Sequence, residues 1–137
     1  MPILYLDASA IVKLILSEQA SDELDAYTRE AMLVTSEIIL TEVPRAIRRA
    51  CQNDPLLSLA DLLDGAENVL ERHYLVPTGR EILTQAGALG EASLRALDAI
   101  HIATAIEASP VDAFVTYDDR QAAAARLTGL RTVAPGS

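Results

Sequence analysis

The chain has 137 residues, half of them hydrophobic, and its 20 acidic against 11 basic side chains give a formal charge of −9. That apolar content excludes a disordered chain. The acidic excess argues against nucleic-acid binding by the surface as a whole, but leaves open acids gathered around a metal, which become a cation site once it binds. A single cysteine, Cys51, excludes an internal disulfide and suits a reducing cytoplasm. The N-terminal stretch has no basic region and is broken by Asp7 and Lys13, so it does not read as a signal peptide. No apolar run approaches the ~20 residues of a membrane span. The expectation is a cytoplasmic protein with no membrane contact.

Ile3-Leu4-Tyr5-Leu6 is a short apolar run that reads as a buried, parallel strand with Asp7 just past its carboxyl end. A helix follows over Ser9–Leu16, with Asp7 or Ser9 available as its cap. Leu24, Tyr27 and Ala31 mark an amphipathic helix over Ala20–Ala31. Leu33-Val34-Thr35 is a strand. Ser36 reads as the N-cap of a helix to about Cys51, which Pro44 should kink or start later. Asn53-Asp54-Pro55 is a loop with Pro55 at a first helical position, opening a helix over Leu56–Arg72.

Tyr74-Leu75-Val76 is the third strand. Thr78-Gly79-Arg80-Glu81 has the spacing of a capping box for a helix to about Leu89. Leu94–Ala108 is apolar on nearly every side, as in a buried helix. Ala113–Thr116 is the fourth strand, Asp119–Leu127 a helix stopped by Gly129, and Arg131–Ala134 the last strand. Strands alternating with helices, without repeat or linker, predict one α/β domain over residues 1–137. Its central sheet is Rossmann-like and mostly parallel, with about five strands flanked by helices.

Four acids stand where a soluble fold has little use for them. Asp7 and Asp118 follow apolar strands, and each is also placed to cap the helix after it. Glu42 shares a helical face with Ile38, Ile39 and Ala46, with Arg45 three residues on as an alternative partner. Asp98 is the one acid between Glu91 and Glu107, with Arg95 or a role near the helix start as its alternatives. Converging carboxylates repel one another, and a divalent cation removes that repulsion. Hard Mg²⁺ or Mn²⁺ prefers such oxygen ligands, and it can activate water and stabilise charge on a phosphate. Ser9 and Thr116 are placed to orient the carboxylates. His101 and His73 lack the partners of a zinc site, so His101 reads as a packed, hydrogen-bonded imidazole. Lys13, Arg45, Arg48 and Arg49 are candidates for phosphate contact. No Gly-rich phosphate loop is present.

In order, Leu6-Asp7-Ala8-Ser9-Ala10 with Lys13, Ser36-Glu37 followed by Glu42, Arg95-Ala96-Leu97-Asp98-Ala99-Ile100-His101-Ile102-Ala103-Thr104-Ala105 and Val115-Thr116-Tyr117-Asp118 resemble the PIN-domain ribonucleases. Within them the closest pattern is that of VapC-type toxins of bacterial toxin–antitoxin pairs. The resemblance covers essentially the whole chain. It implies Asp7, Glu42, Asp98 and Asp118 as the catalytic, metal-binding set, with Ser9 and Thr116 in support. It also implies Mg²⁺- or Mn²⁺-dependent endonucleolytic hydrolysis of RNA, and a homodimer inhibited by a VapB-type antitoxin whose C-terminal segment occupies the acidic groove. A cationic antitoxin tail would complement a chain of charge −9. Two other readings are weighed beside it. One is a PIN-fold binding module without catalysis. The other is a different Mg²⁺-dependent α/β phosphate enzyme, which Ser9 disfavours because a phosphatase of the haloacid-dehalogenase kind needs an acid there.

Overall fold

The computed structural model describes residues 1–137, which alternate strands and helices from end to end. The order is β1 (Ile3–Leu6), α1 (Ala8–Ile15), α2 (Ser21–Thr28), β2 (Met32–Ser36), α3 (Ile39–Asn53), α4 (Leu59–Glu71), β3 (His73–Val76), α5 (Arg80–Gly87), α6 (Ala96–Glu107), β4 (Ala113–Val115), α7 (Asp119–Leu127) and β5 (Thr132–Val133). The five strands form one sheet in the order β3-β2-β1-β4-β5, and every pairing is parallel. In register, Leu4 pairs with Leu33 on one side and Ala113 on the other. The chain winds outward from β1 in both directions. The topological switch point therefore lies between β1 and β4, where open α/β sheets bind ligands at the carboxyl ends of their strands.

Alternation along the strands assigns the two faces. Leu4 and Leu6 of β1, Leu33 of β2 and Ala113 and Val115 of β4 pack with Ala10, Ile11, Leu24, Ile39, Val43, Ile47 and Ala66, so α1 to α4 cover that face. Tyr5, Val34 and Phe114 point the other way, onto Ile102 and Ala105 of α6 and Ala124 and Ala125 of α7. The Tyr5 and Phe114 rings stack with centroids 5.2 Å apart. Helix α5 joins this layer through Ile82 and Ala86 against Ala99 and Ala103 of α6. No helix is long and apolar enough to cross a membrane.

Several expected helix starts shift, each for a local reason. Ser36 does not cap α3. It closes β2, and its hydroxyl accepts the Ile38 N–H, so the helix begins at Ile39 and runs on through Pro44. Pro55 lies outside α4, whose cap is Ser58, accepting the Asp61 N–H. Gly79 takes the cap position of α5 in place of Thr78. The Thr78 hydroxyl instead meets that of Ser36 at 3.2 Å, and its N–H donates to Glu37. The α7 ending agrees with expectation: Gly129 adopts φ +93°, and the N–H groups of Gly129 and Leu130 close on the carbonyls of Arg126 and Ala125.

The core on the α6 side rests on few aromatic groups, so its loss is costly. Phe114→Ala should destabilise the protein by about 3–5 kcal/mol, read from the shift in urea midpoint with an unchanged slope.

A candidate carboxylate site at the switch point

Asp7 follows β1 directly and is 2% exposed. Burying a carboxylate is costly unless its oxygens find donors, and both do. Oδ1 accepts the Ser9 hydroxyl at 2.6 Å and the Ala10 N–H at 3.1 Å. Oδ2 accepts the Thr116 hydroxyl at 2.5 Å. Asp7 thus caps α1 as one of its two expected roles. The same two hydroxyls tie it to the loop after β4. Ser9 Oγ accepts the Tyr117 N–H at 2.9 Å, and Thr116 Oγ1 accepts the Asp118 N–H at 3.1 Å. The carboxyl ends of β1 and β4 are therefore joined through one carboxylate.

Asp118 caps α7, its Oδ1 accepting the N–H groups of Arg120 and Gln121. It is exposed, three residues past the last paired residue of β4 rather than at the strand end itself. Asp98 stands in the first turn of α6, half-buried, and no ion pair holds it. The expected alternative of a salt bridge to Arg95 does not form. Glu42 lies in the first turn of α3, and it too leaves Arg45 unpaired.

The partner of Glu42 is His101. Their Oε1 and Nε2 atoms are 2.6 Å apart, and the other ring nitrogen, Nδ1, is 2.7 Å from the Tyr5 hydroxyl. Tyr5 is fully buried and His101 is 1% exposed. A carboxylate only accepts, so Nε2–H donates to Glu42, and in the neutral imidazole Nδ1 accepts from Tyr5. Burial raises the Tyr5 phenol, which keeps the proton that this bond uses. The imidazole is packed and bonded, as its sequence context suggests, and both nitrogens are engaged. The chain from Tyr5 through His101 to Glu42 was not foreseen. Its signal was present: His101 stands one helical turn after Asp98 and is the one imidazole on that helix.

The electrostatics link the four acids. Burial raises the Asp7 carboxyl above its ordinary 3.8, opposed by hydrogen bonds from Ser9 and Thr116 and by the nearby His101. Burial also raises Asp98, reinforced by the charges of Asp118, Asp7 and Glu42 and opposed by His101. Asp98 thus lies within the field of the other three expected residues. As the side chains stand, no three acidic, histidine or cysteine groups are gathered closely enough to hold a metal ion. Like charges hold one another off, and a cation between them would reverse that force. The donor set is all oxygen, and Asp98 has no cationic partner, which fits a hard divalent ion better than zinc.

Two clefts flank the acids. One is a groove of about 560 Å³ that contains Ser9, Glu42, Lys13, Arg45 and Arg49. The other, of about 460 Å³, is lined by Arg95, Asp98, Asp118, Asp119 and Arg120. The Lys13 ammonium sits 4.7 Å over the Tyr117 ring and donates to the Gln19 carbonyl at 2.9 Å.

Residues 4–127 match the profile of the PIN domain family. The chain is 37% identical over 139 residues to Ribonuclease VapC35 of Mycobacterium tuberculosis, covering 97% of each. It is 32% identical over 140 residues to Ribonuclease VapC47 of the same species, covering 98% of each. Among solved structures it resembles VapBC2 from Rickettsia felis, a complex bound to a DNA fragment from its promoter, with a TM-score of 0.71 at 15% identity over 97% of this chain and 98% of that one. It also resembles PAE2754 from Pyrobaculum aerophilum, with a TM-score of 0.66 at 19% identity over 96% and 84%. At those identities the two structures establish a shared fold.

The raised Asp98 carboxyl has a consequence for stability. The folded protein holds that proton to higher pH than the unfolded chain does. The stability it contributes is complete below 3.8 and is lost as pH rises through the raised value. Without divalent cations, Asp98→Asn should melt above the wild type at neutral pH, with the gap closing as pH falls toward 3.8. Thermal melts of both proteins over that range check this. An Asp98→Asn protein that melts below the wild type at neutral pH would contradict it.

Proposed function

The chain belongs to the PIN domain family, and from that premise we propose that it is the endoribonuclease toxin of a VapBC-type toxin–antitoxin pair. In this reading it hydrolyses RNA phosphodiester bonds with Mg²⁺ or Mn²⁺ held by Asp7, Glu42, Asp98 and Asp118. The relatives named Ribonuclease VapC, matched over nearly the full chain, support the activity and the toxin class. The observation that carries the site is the half-buried Asp98 carboxyl near the sheet's switch point, which no cation pairs and which is raised first by burial and then by the charges of Asp118, Asp7 and Glu42.

The residues have separable roles. Asp7 is the fixed wall: its two oxygens are oriented by Ser9, Thr116 and the Ala10 N–H, so its position is set before anything binds. Glu42 is aimed from α3 by His101, which in turn is held by Tyr5. Asp98 and Asp118 form the more open side, facing the cleft. The chemistry that a divalent ion supplies here is an activated water and stabilisation of charge on the phosphate. Burial raises the Asp98 and Asp7 carboxyls, and positive charge arriving beside them would favour their ionised forms.

A VapB-type antitoxin is the regulatory partner in this reading, and a homodimer is the proposed assembly. Large apolar side chains left exposed, among them Leu40, Tyr74, Leu97 and Leu127, offer surface for either contact.

Purified, antitoxin-free protein should cut RNA in Mg²⁺, EDTA should abolish the cutting, and Asp98→Asn or Asp7→Ala should lower it by at least ~10²-fold, the scale of losing a group that acts on developing charge. Mapping of cut ends on total RNA provides the readout. Full activity of Asp98→Asn would overturn the assignment of the site. Intact RNA together with no Mn²⁺ binding would favour a PIN-fold module without catalysis.

A further inference from the structure

The chain has 11 cationic side chains against 20 acids, and five of the 11 line the two clefts beside the carboxylates. Lys13, Arg45 and Arg49 stand on the Glu42 side, and Arg95 and Arg120 on the side of Asp98 and Asp118. None of the five pairs with a carboxylate. The ion pairs of the molecule are Arg29–Asp25 and His101–Glu42, and neither involves one of the five. On a surface this rich in acids, arginines that remain unpaired next to carboxylates are not explained by stability. The two clefts adjoin: Leu97 and Tyr117 line one, and their chain neighbours Asp98 and Asp118 line the other. Together they make a line of positive, then strongly negative, then positive charge.

We propose that the two clefts form one track for the backbone of an RNA strand, which crosses the carboxylates with a phosphate bound on each side of the bond to be cut. Arg45 and Arg49 take a phosphate on the Glu42 side. Arg95 and Arg120 take one on the Asp98 side. The guanidinium fork suits both, since it reaches two phosphate oxygens at once. Lys13 is held by the Tyr117 ring and the Gln19 carbonyl, so it adds positive field to the wall instead of reaching for the strand. The proposal rests on the ribonuclease reading and deepens it. A strand gripped on both sides of the acids needs no free end, so cutting is internal. The cations also attract a polyanion at these two places.

The test is the salt dependence of binding. A labelled, unstructured oligoribonucleotide is titrated with the full-length, antitoxin-free protein in calcium at several salt concentrations. The proteins compared are the wild type, the double variants R45Q/R49Q and R95Q/R120Q, the quadruple variant that combines them, and R80Q as a remote control. Each lost phosphate contact on a single strand lowers the slope of log K against log salt by about 0.7. Both double variants should lower the slope by at least that amount, the quadruple variant by the sum, and R80Q should leave it unchanged, with all melting curves alike. A change in only one double variant would confine the strand to one cleft and overturn the track. No change in either would overturn it as well. Cutting that persists in Mg²⁺ with unchanged slopes removes this proposal and leaves the ribonuclease reading standing. RNA that is neither bound nor cut removes both.

Discussion

Asp7 is taken out of water at the carboxyl end of the central strand, and three donors from two parts of the chain hold its oxygens. Much of the surrounding architecture follows from that requirement. Ser9 must stand on the first turn of α1 to reach Oδ1, and Thr116 must directly follow β4 to reach Oδ2. Each hydroxyl accepts a second hydrogen bond from a backbone N–H of the loop that carries Asp118. The strand order β2-β1-β4 makes this possible by placing the fourth strand directly beside the first. A buried carboxylate thus fixes the relative positions of β1, α1, β4 and α7.

A second buried connection orients the opposite wall. Tyr5 occupies the face of β1 away from α1, stacked on Phe114, and its hydroxyl crosses to His101 on α6. His101 then reaches Glu42 on α3. This chain links helices from the two layers through the carboxyl edge of the sheet. It gives an otherwise costly fully buried imidazole a partner at each nitrogen. It also explains why Glu42 does not turn to Arg45, its neighbour one helical turn on: the imidazole already holds it, and the arginine stays free on the groove wall.

The sequence spoke most clearly where burial and chemistry conflict. Asp98 in an apolar helix and Asp7 after an apolar strand stood out because a carboxylate there needs a reason. The alternation of strand and helix patterns predicts a mostly parallel sheet of about five strands, and the five strands stand near their expected places with every pairing parallel. Helix starts were less legible. Ser36, Pro55 and Thr78 each carry a start signal by local rule, but the tertiary structure uses them otherwise: Ser36 and Thr78 meet across neighbouring strand ends, and Pro55 stays in the loop before Ser58. The hydrogen-bonded chain from Tyr5 to Glu42 was hidden for a related reason. It joins residues 96 and 59 positions apart, and no local pattern encodes such a pairing. The same limit applies to the clefts, since Arg45 and Arg49 come together with Ser9 only in the folded chain.

The central claim is that Asp7, Glu42, Asp98 and Asp118 act as one divalent-cation site. Calorimetric titration of the antitoxin-free protein with Mn²⁺, in two buffers that differ in ionisation enthalpy, tests it most directly. The account predicts saturable binding that Asp98→Asn weakens, with proton release that grows as pH falls toward the raised carboxyl values of Asp7 and Asp98. Absence of Mn²⁺ binding by the wild type, or binding that Asp98→Asn leaves unchanged, would contradict it.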